Sequence, residues 1–189
     1  NSPLVLIKEA TWGTTPADGV TAQKFGVVSY GLKPTQNLLD NPQLSPDPNY
    51  RDAVTGKMDA SGTLETVLDI SNTPLFLWMA CGNHSVETSS AKFYHRHKLL
   101  AGTMPSCSIQ TTFDNGERKL DKGVVVESLK LSSAVEGFLQ ASLGLVGGSV
   151  AYGDAITLGA TTPKDHTMGL NPFHHGLIDT NGFVKMKVP

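Results

Sequence analysis

The run Gly123-Val-Val-Val-Glu-Ser-Leu-Lys-Leu-Ser-Ser133, followed by Phe138-Leu-Gln-Ala-Ser-Leu-Gly-Leu-Val146, decides how this chain is read. In the first run Val125, Leu129 and Leu131 share one side, and Ser128, Lys130 and Ser132 the other, with Glu127 as the exception. In the second, Leu139, Ala141, Leu143 and Leu145 oppose Gln140, Ser142 and Gly144. Side chains alternate across a strand, so each run predicts a strand with one buried and one wet face. The link Ala134-Val-Glu-Gly137 is short and carries a glycine, which predicts an antiparallel hairpin.

The same period recurs on either side. Phe25 to Leu32 reads as a strand, and from Lys57 to Asp69 the residues Met58, Ala60, Gly62, Leu64, Thr66 and Leu68 alternate with Asp59, Ser61, Thr63 and Glu65. Phe93 to Leu100 and Ser106 to Phe113 are two further strands, Asp114-Asn115-Gly116 is a turn leading to a charged link, and Gly147-Gly148 is read as another turn. One helix is expected over 73–82. Asn72 or Thr73 can cap it, Pro74 suits its first turn, Gly82 suits a left-handed stop, and Leu75 to Cys81 are apolar all round. A helix without a polar face needs cover on most sides, from its own sheet and from a neighbouring subunit. The expected architecture is mainly β, an antiparallel β-sandwich or barrel with one packed helix and long extended loops.

At 189 residues the chain has room for one core. We expect an N-terminal arm, or a short strand plus loop, over 1–20, a sandwich domain over 21–153, and a C-terminal arm or strand over 154–189 that is part of a longer subunit or an added arm. A net charge of −2 and a pI near 6.3 leave no basic footprint for gripping nucleic acid. The apolar runs Leu4 to Ile7 and Leu75 to Cys81 are too short to span a bilayer, and Asn1 opens the chain with no secretory pattern and no initiator Met. Cys81 and Cys107 read as two buried small thiols rather than a disulfide framework. Residues 33–56 stand apart: Pro34, Pro42, Pro46 and Pro48 among Asn and Asp predict a long stiffened loop, not a packed element. Stiffening lowers the entropy lost on docking, so the loop is a candidate partner-binding segment.

Chemistry-bearing patterns are sparse. His95 and His97 lie two apart on a predicted strand and so face the same way, as in cupin-like metal enzymes. Arg96 and Lys98 beside them oppose a dication, and no carboxylate lies near in sequence, so metal and catalytic residues are both read as none. His174 and His175 could join such a site only through the fold. Asp40, Asp47 and Asp52 lack the oxygen spacing of calcium loops, and Cys81 ends a helix rather than beginning one. No nucleophile elbow, phosphate loop or dinucleotide fingerprint occurs, and no cofactor is expected. Trp12 and Tyr50 fall in loops, where contact with the core or a neighbouring chain is the expected use of a large ring.

The order of features carries a resemblance. Glu9-Ala-Thr-Trp-Gly-Thr-Thr-Pro16 is followed by a strand, the long loop and Gly56-Lys-Met-Asp-Ala-Ser-Gly-Thr-Leu64. Next come the apolar helix, a Leu-x-Gly-x-Met-Pro-Ser-Cys-Ser-Ile lead-in over 100–109 and the Gly123 to Ser133 run with its partner. Over roughly residues 9–150 this resembles the major tail tube proteins of long-tailed bacteriophages, related to the tube subunits of contractile tails and type VI secretion. The resemblance implies a β-sandwich flanked by a helix. It implies a structural virion protein that self-assembles into stacked hexameric rings, forming a tube through which DNA passes without specific binding. Other tail proteins would be partners, the virion tail the location, and the bacterial host cytoplasm the place of assembly. The loop would reach a neighbouring subunit, making Pro42, Leu44, Pro46, Pro48, Tyr50 and Arg51 candidate inter-subunit contacts. The alternatives are a tail terminator, a head-decoration protein, or a cupin-like metal-dependent enzyme using His95 and His97.

Overall fold

Alternating apolar and polar residues build antiparallel strands around one short helix in the computed structural model, which describes residues 4–16, 22–39, 54–69, 72–89, 92–99, 102–134, 137–153, 156, 176–178 and 184–186. The elements run β1 (Leu4–Lys8), β2 (Gln23–Phe25), β3 (Ser29–Leu39), β4 (Val54–Val67), α1 (Thr73–Cys81), β5 (Gly82–Ser89) and β6 (Lys92–Leu99). They continue with β7 (Cys107–Thr112), β8 (Arg118–Ser132), β9 (Gln140–Gly147), β10 (Ser149–Tyr152), β11 (Gly176–Ile178) and β12 (Val184–Met186). The main sheet has the order β2-β1-β7-β8-β9-β4-β3, with β10 also on β8, and β5–β6 and β11–β12 are separate two-stranded ribbons. The ends of that order, β2 and β3, are consecutive in the chain, with residues 26–28 alone between them. Val28 N–H donates to the Glu65 carbonyl (2.8 Å), and Thr66 Oγ1 donates to that of Gly26 (3.0 Å). A sheet whose two edges are tied by three residues must curl over on itself, which is the expected sandwich or barrel.

The hairpin that opened the reading is present, with Val125 opposite Val146, Leu129 opposite Leu143 and Leu131 opposite Ala141. Its faces need a correction. Val126 faces Leu145 and Ser128 faces Gly144, so Glu127 is an extra residue bulged out of β8. A bulge shifts the side-chain phase by one, so Val124 and Val126 are buried ahead of it, Leu129 follows inward behind it, and Val125 turns outward. A second bulge lies upstream: Cys107 faces Val124 and Ile109 faces Asp121, setting Ser108 against both Lys122 and Gly123. The inward stripe of β8 is therefore Lys119, Asp121, Val124, Val126 and Leu129, with Leu131 in the same phase but exposed. Gly147-Gly148 is not a reversing turn. The chain bends there and continues along β8, with Gly148 N–H donating to the Lys122 carbonyl (3.0 Å) and Ser149 opposite Lys122.

The core joins Leu4, Leu6, Phe25, Leu32, Leu64, Ile109, Leu143 and Leu145 to the inner side of α1, where Leu75, Phe76 and Met79 are buried. Phe76 meets Phe25 edge to face at 5.1 Å and 84°. The helix starts and stops near where its sequence predicts, but Asn72 makes no side-chain cap bond. The Asp69 carboxylate instead accepts from the Asn72 backbone N–H (2.6 Å) and side-chain amide (3.1 Å), and the Asp69 carbonyl accepts from Thr73 Oγ1 (2.6 Å). Gly82, at φ 84°, ends the helix and donates its N–H to the Trp78 carbonyl.

Four further expectations change. Residues 4–8 follow the short-strand reading and not the arm: β1 lies between β2 and β7, with Leu4 and Leu6 in the main core and Val5 and Ile7 in a second cluster with Ala22, Leu120 and Ile156. The predicted strand over 25–32 is broken at 26–28, where the chain crosses from one end of the sheet to the other. The strand β5 was not expected, because Gly82-Asn-His-Ser-Val-Glu-Thr-Ser89 is mostly polar and lacks a buried face to mark it. The loop over 33–56 begins and ends as strand, with Pro34 opposite Ala60 and Leu39 opposite Val54. Proline is tolerated there because β3 is the last strand in the order and its outer side needs no donors.

The revised phase of β8 is testable. Val126→Asp buries an unpaired charge and should abolish cooperative urea unfolding followed by circular dichroism, whereas Val125→Asp should lower the midpoint and keep the transition cooperative. The reverse ranking would mean that Glu127 is not bulged.

Candidate functional site

Three motifs that are far apart in sequence meet at one carboxylate. Glu9, just past β1, accepts from Gly13 N–H (2.8 Å) and Ser106 Oγ (2.7 Å) on Oε2, and from Ser108 Oγ (2.6 Å) and Gly123 N–H (2.9 Å) on Oε1. Its own N–H donates to the Ser106 carbonyl (3.0 Å), and Thr15 Oγ1 lies 2.9 Å from Ser108 Oγ. The bulge turns the Gly123 N–H away from the β7 ladder, with φ 67°, and the carboxylate takes the place of the missing strand acceptor. Trp12 lies across the same spot. A Cβ on Gly123 would come within 2.9 Å of its ring and one on Gly148 within 2.5 Å, so both glycines are the floor on which the indole rests. The ring still leaves 61 % of its surface exposed, so it spans the core boundary and an open face. Neither the role of Glu9 nor the convergence with 106–108 and 123 was visible in sequence, since no spacing rule links residues about a hundred positions apart.

A second polar group ties β3 to β8 across the core. Lys119, at the end of the charged link that follows the Asp114-Asn115-Gly116 turn, is buried, with Nζ 3.0 Å from Asp121 Oδ1 and donating to the Leu32 carbonyl at 2.5 Å. The Tyr30 hydroxyl donates to Asp121 Oδ2 (2.6 Å). Asp121 Oδ1 has no aligned hydrogen bond, so its contact with Lys119 is an ion pair held by charge alone. Burial, and then the Asp121 charge, push the Tyr30 hydroxyl far above the usual phenol range, so it remains a neutral donor. Cys107 is buried and its thiol donates to the Val124 carbonyl (3.5 Å); burial, then Glu9, raise its pKa, so it is an inert core thiol. Cys81 is only half-buried, at the end of α1, which corrects the expectation of two buried thiols.

Beyond Leu32 every residue of β3 is exposed, and β9 pairs with β4 only from Ala60 to Val67. Residues 33–39 and 54–59 therefore form a two-stranded ribbon that leaves the sheet for roughly 20 Å. It carries Leu38 at 65 % and Leu39 at 60 % exposure near its end. Pro42, Leu44, Pro46, Pro48, Tyr50 and Arg51, the expected contact residues, lie outside the described residues, as do Asp40, Asp47, Asp52, His174 and His175.

His95 and His97 share a face of β6 as expected, and His84 of β5 joins them, directly opposite His97. His84 Nε2 lies 2.9 Å from His95 Nδ1, and the His97 ring stacks on His84 at 4.7 Å. The facing nitrogens of His84 and His95 are taken up in one N–H···N hydrogen bond rather than aimed at a common centre, and among the described residues no three His, Cys, Asp or Glu side chains are arranged to hold a metal. The β6 histidine pair was legible from its spacing, but His84 was not, because β5 itself was missed.

The two polar ties carry separable predictions. Glu9→Gln keeps the shape but sets an amide against the Gly13 and Ser106 donors, and should lower unfolding free energy by about 1–3 kcal/mol in urea melts. Asp121→Ala strands the Lys119 ammonium and should cost about 3–5 kcal/mol. Gly148→Ala should be destabilising beside Trp12 and nearly neutral in a Trp12→Ala background; equal effects in both would remove the indole from that contact.

The family model for phage tail tube proteins matches residues 1–182. No curated protein matches at significant similarity. Among solved structures, a protein of the anti-feeding prophage baseplate is 11% identical, with 79% of this chain and 91% of that one covered and a TM-score of 0.45. The SPP1 tail tube protein is 12% identical over 88% of this chain and 96% of that one, with a TM-score of 0.41. Hcp1 from Salmonella typhimurium is 13% identical over 79% and 91%, with a TM-score of 0.31. With its family model matched almost from end to end, this chain belongs to the phage tail tube protein family.

Proposed function

We propose that copies of this chain assemble into hexameric rings that stack as the wall of a tail tube, and that the β3–β4 ribbon with its tip over 40–53 is the arm joining one subunit to the next. Family membership supplies the structural tail tube role. The observation that carries the arm is the ribbon itself. Two strands alone are marginally stable in water, and this pair leaves the sheet with Leu38 and Leu39 bare. An exposed β edge with apolar side chains is a pairing hazard in a monomer and a joint in a ring. Pro42, Leu44, Pro46, Pro48, Tyr50 and Arg51 follow directly on that ribbon and are the proposed contacts with the neighbouring copy. The exposed face of Trp12 offers a second apolar contact.

In this reading the protein catalyses nothing. It works in the virion tail after assembly in the host cytoplasm, with other tail proteins at the ends of the tube. A net charge of −2 suits a conduit, since a wall that neutralised phosphates would hold the DNA it must pass.

The double variant Leu38→Glu/Leu39→Glu tests the arm. It should melt like the wild type, because neither side chain is in the core, yet form no long tubes by negative-stain microscopy at concentrations where the wild type does. Tubes of wild-type length from the variant would remove the ribbon from assembly.

A further inference from the structure

The β5–β6 ribbon carries a histidine group that the tail tube role does not use. The centroids of His84 and His95 are 5.1 Å apart at 1° between planes, while their facing nitrogens are 2.9 Å apart. The centroid distance exceeds the nitrogen distance by about two ring radii, so the rings lie edge to edge in one plane, as an N–H···N hydrogen bond requires. His97 stacks face to face on His84, at 4.7 Å and 11°, and both its ring nitrogens are buried without a hydrogen-bond partner. The ribbon rests on α1, whose residues from Thr73 to Cys81 include no charged side chain.

We propose that His84, His95 and His97 form a proton-operated latch, closed while the three rings are uncharged and released when they take up protons, freeing the β5–β6 ribbon from α1.

The chemistry follows from the geometry. The His84–His95 bond needs one facing nitrogen without a hydrogen. A first proton can go to an outer nitrogen and leave the bond intact, but a second puts hydrogens on both facing atoms and breaks it. A charged His97 would bring two donors into a place with no acceptor, stacked on a ring that is itself gaining charge.

Among the described residues, no compensating anion faces the group. From β1 comes the Lys8 ammonium, which also lies 4.1 Å over the Trp78 ring. On the histidine face of β5 and β6 the neighbours Val86, Thr88 and Leu99 are uncharged, and Cys81 is the one titratable side chain of α1. Glu87 and Arg96, paired at 3.0 Å, and Lys98 point to the other face.

Burial, then His95 and Lys8, lower the pKa of His84; burial, then His84 and His95, lower that of His97. The folded ribbon thus binds fewer protons than the opened one. Its stability is complete above the ordinary imidazole value of 6.5 and declines as pH falls through it.

The test is residue-resolved amide exchange on the full chain at about pH 7.5 and about pH 5.5, corrected for intrinsic rates, alongside a histidine ring NMR titration. Protection of β5 and β6 amides should fall by up to about tenfold per proton taken up and per pH unit below the imidazole value, while Leu143 in the core hairpin is unchanged. His97→Phe keeps the stack without titrating, and His95→Gln keeps a hydrogen-bonding partner without a full charge. Each should shrink the loss, and His95→Gln decides alone if His97→Phe does not fold. Equal protection at both pH values in the wild type, or an undiminished loss in the folded variants, would overturn the latch.

Discussion

A single carboxylate holds the bulge at which the longest strand bends. A bulge in the longest strand leaves a backbone N–H facing away from its ladder, and a buried N–H without an acceptor is costly. Glu9 answers that N–H at Gly123 and binds Ser106, Ser108 and Gly13 with its remaining lone pairs. It thereby fixes β1, the lead-in to β7 and the bend of β8 relative to one another. Trp12 closes the arrangement from outside by resting on Gly123 and Gly148, where β9 passes into β10. Two residues before Gly123 on β8, the Tyr30–Asp121–Lys119 group joins β3 to β8, two strands that are not neighbours in the sheet. With both ties in place the sheet order closes on itself through three residues, around the main apolar core.

How much of this could be read from residues alone depends on how local each signal is. Strand period is local, so the β8–β9 hairpin, most of β4 and the helix with its Pro74 and Gly82 limits were legible. Bulges interrupt the period without announcing themselves. The anomalous Glu127 marked one, yet only cross-strand register shows that the phase changes there and that Val125 belongs outside. Proline content was over-read: Pro34 denied strand to a segment whose free edge tolerates it. A polar ribbon such as β5 has no buried face to betray it, and with it went His84.

Site legibility failed for a different reason. The motifs around Glu9, Ser106 and Gly123 were each visible, and they are also the ones that carried the likeness to tail tube proteins. What they share is a hydrogen-bond centre in three dimensions, and that is a property of the fold. These residues serve architecture, which is why no catalytic grammar was found in them. The expected contact residues around Pro46 and Tyr50 lie outside the described residues; what changes is the flanking chain, where 33–39 and 54–56 are strand and a loop was expected.

The most direct measurement is native-state amide exchange at Gly123. Its N–H has no strand partner, so only the Glu9 carboxylate can protect it. The account predicts exchange as slow as that of Val124 and Val126 beside it, limited by unfolding of the whole domain. Exchange at the rate of an open loop amide would mean that the carboxylate does not hold the bulge.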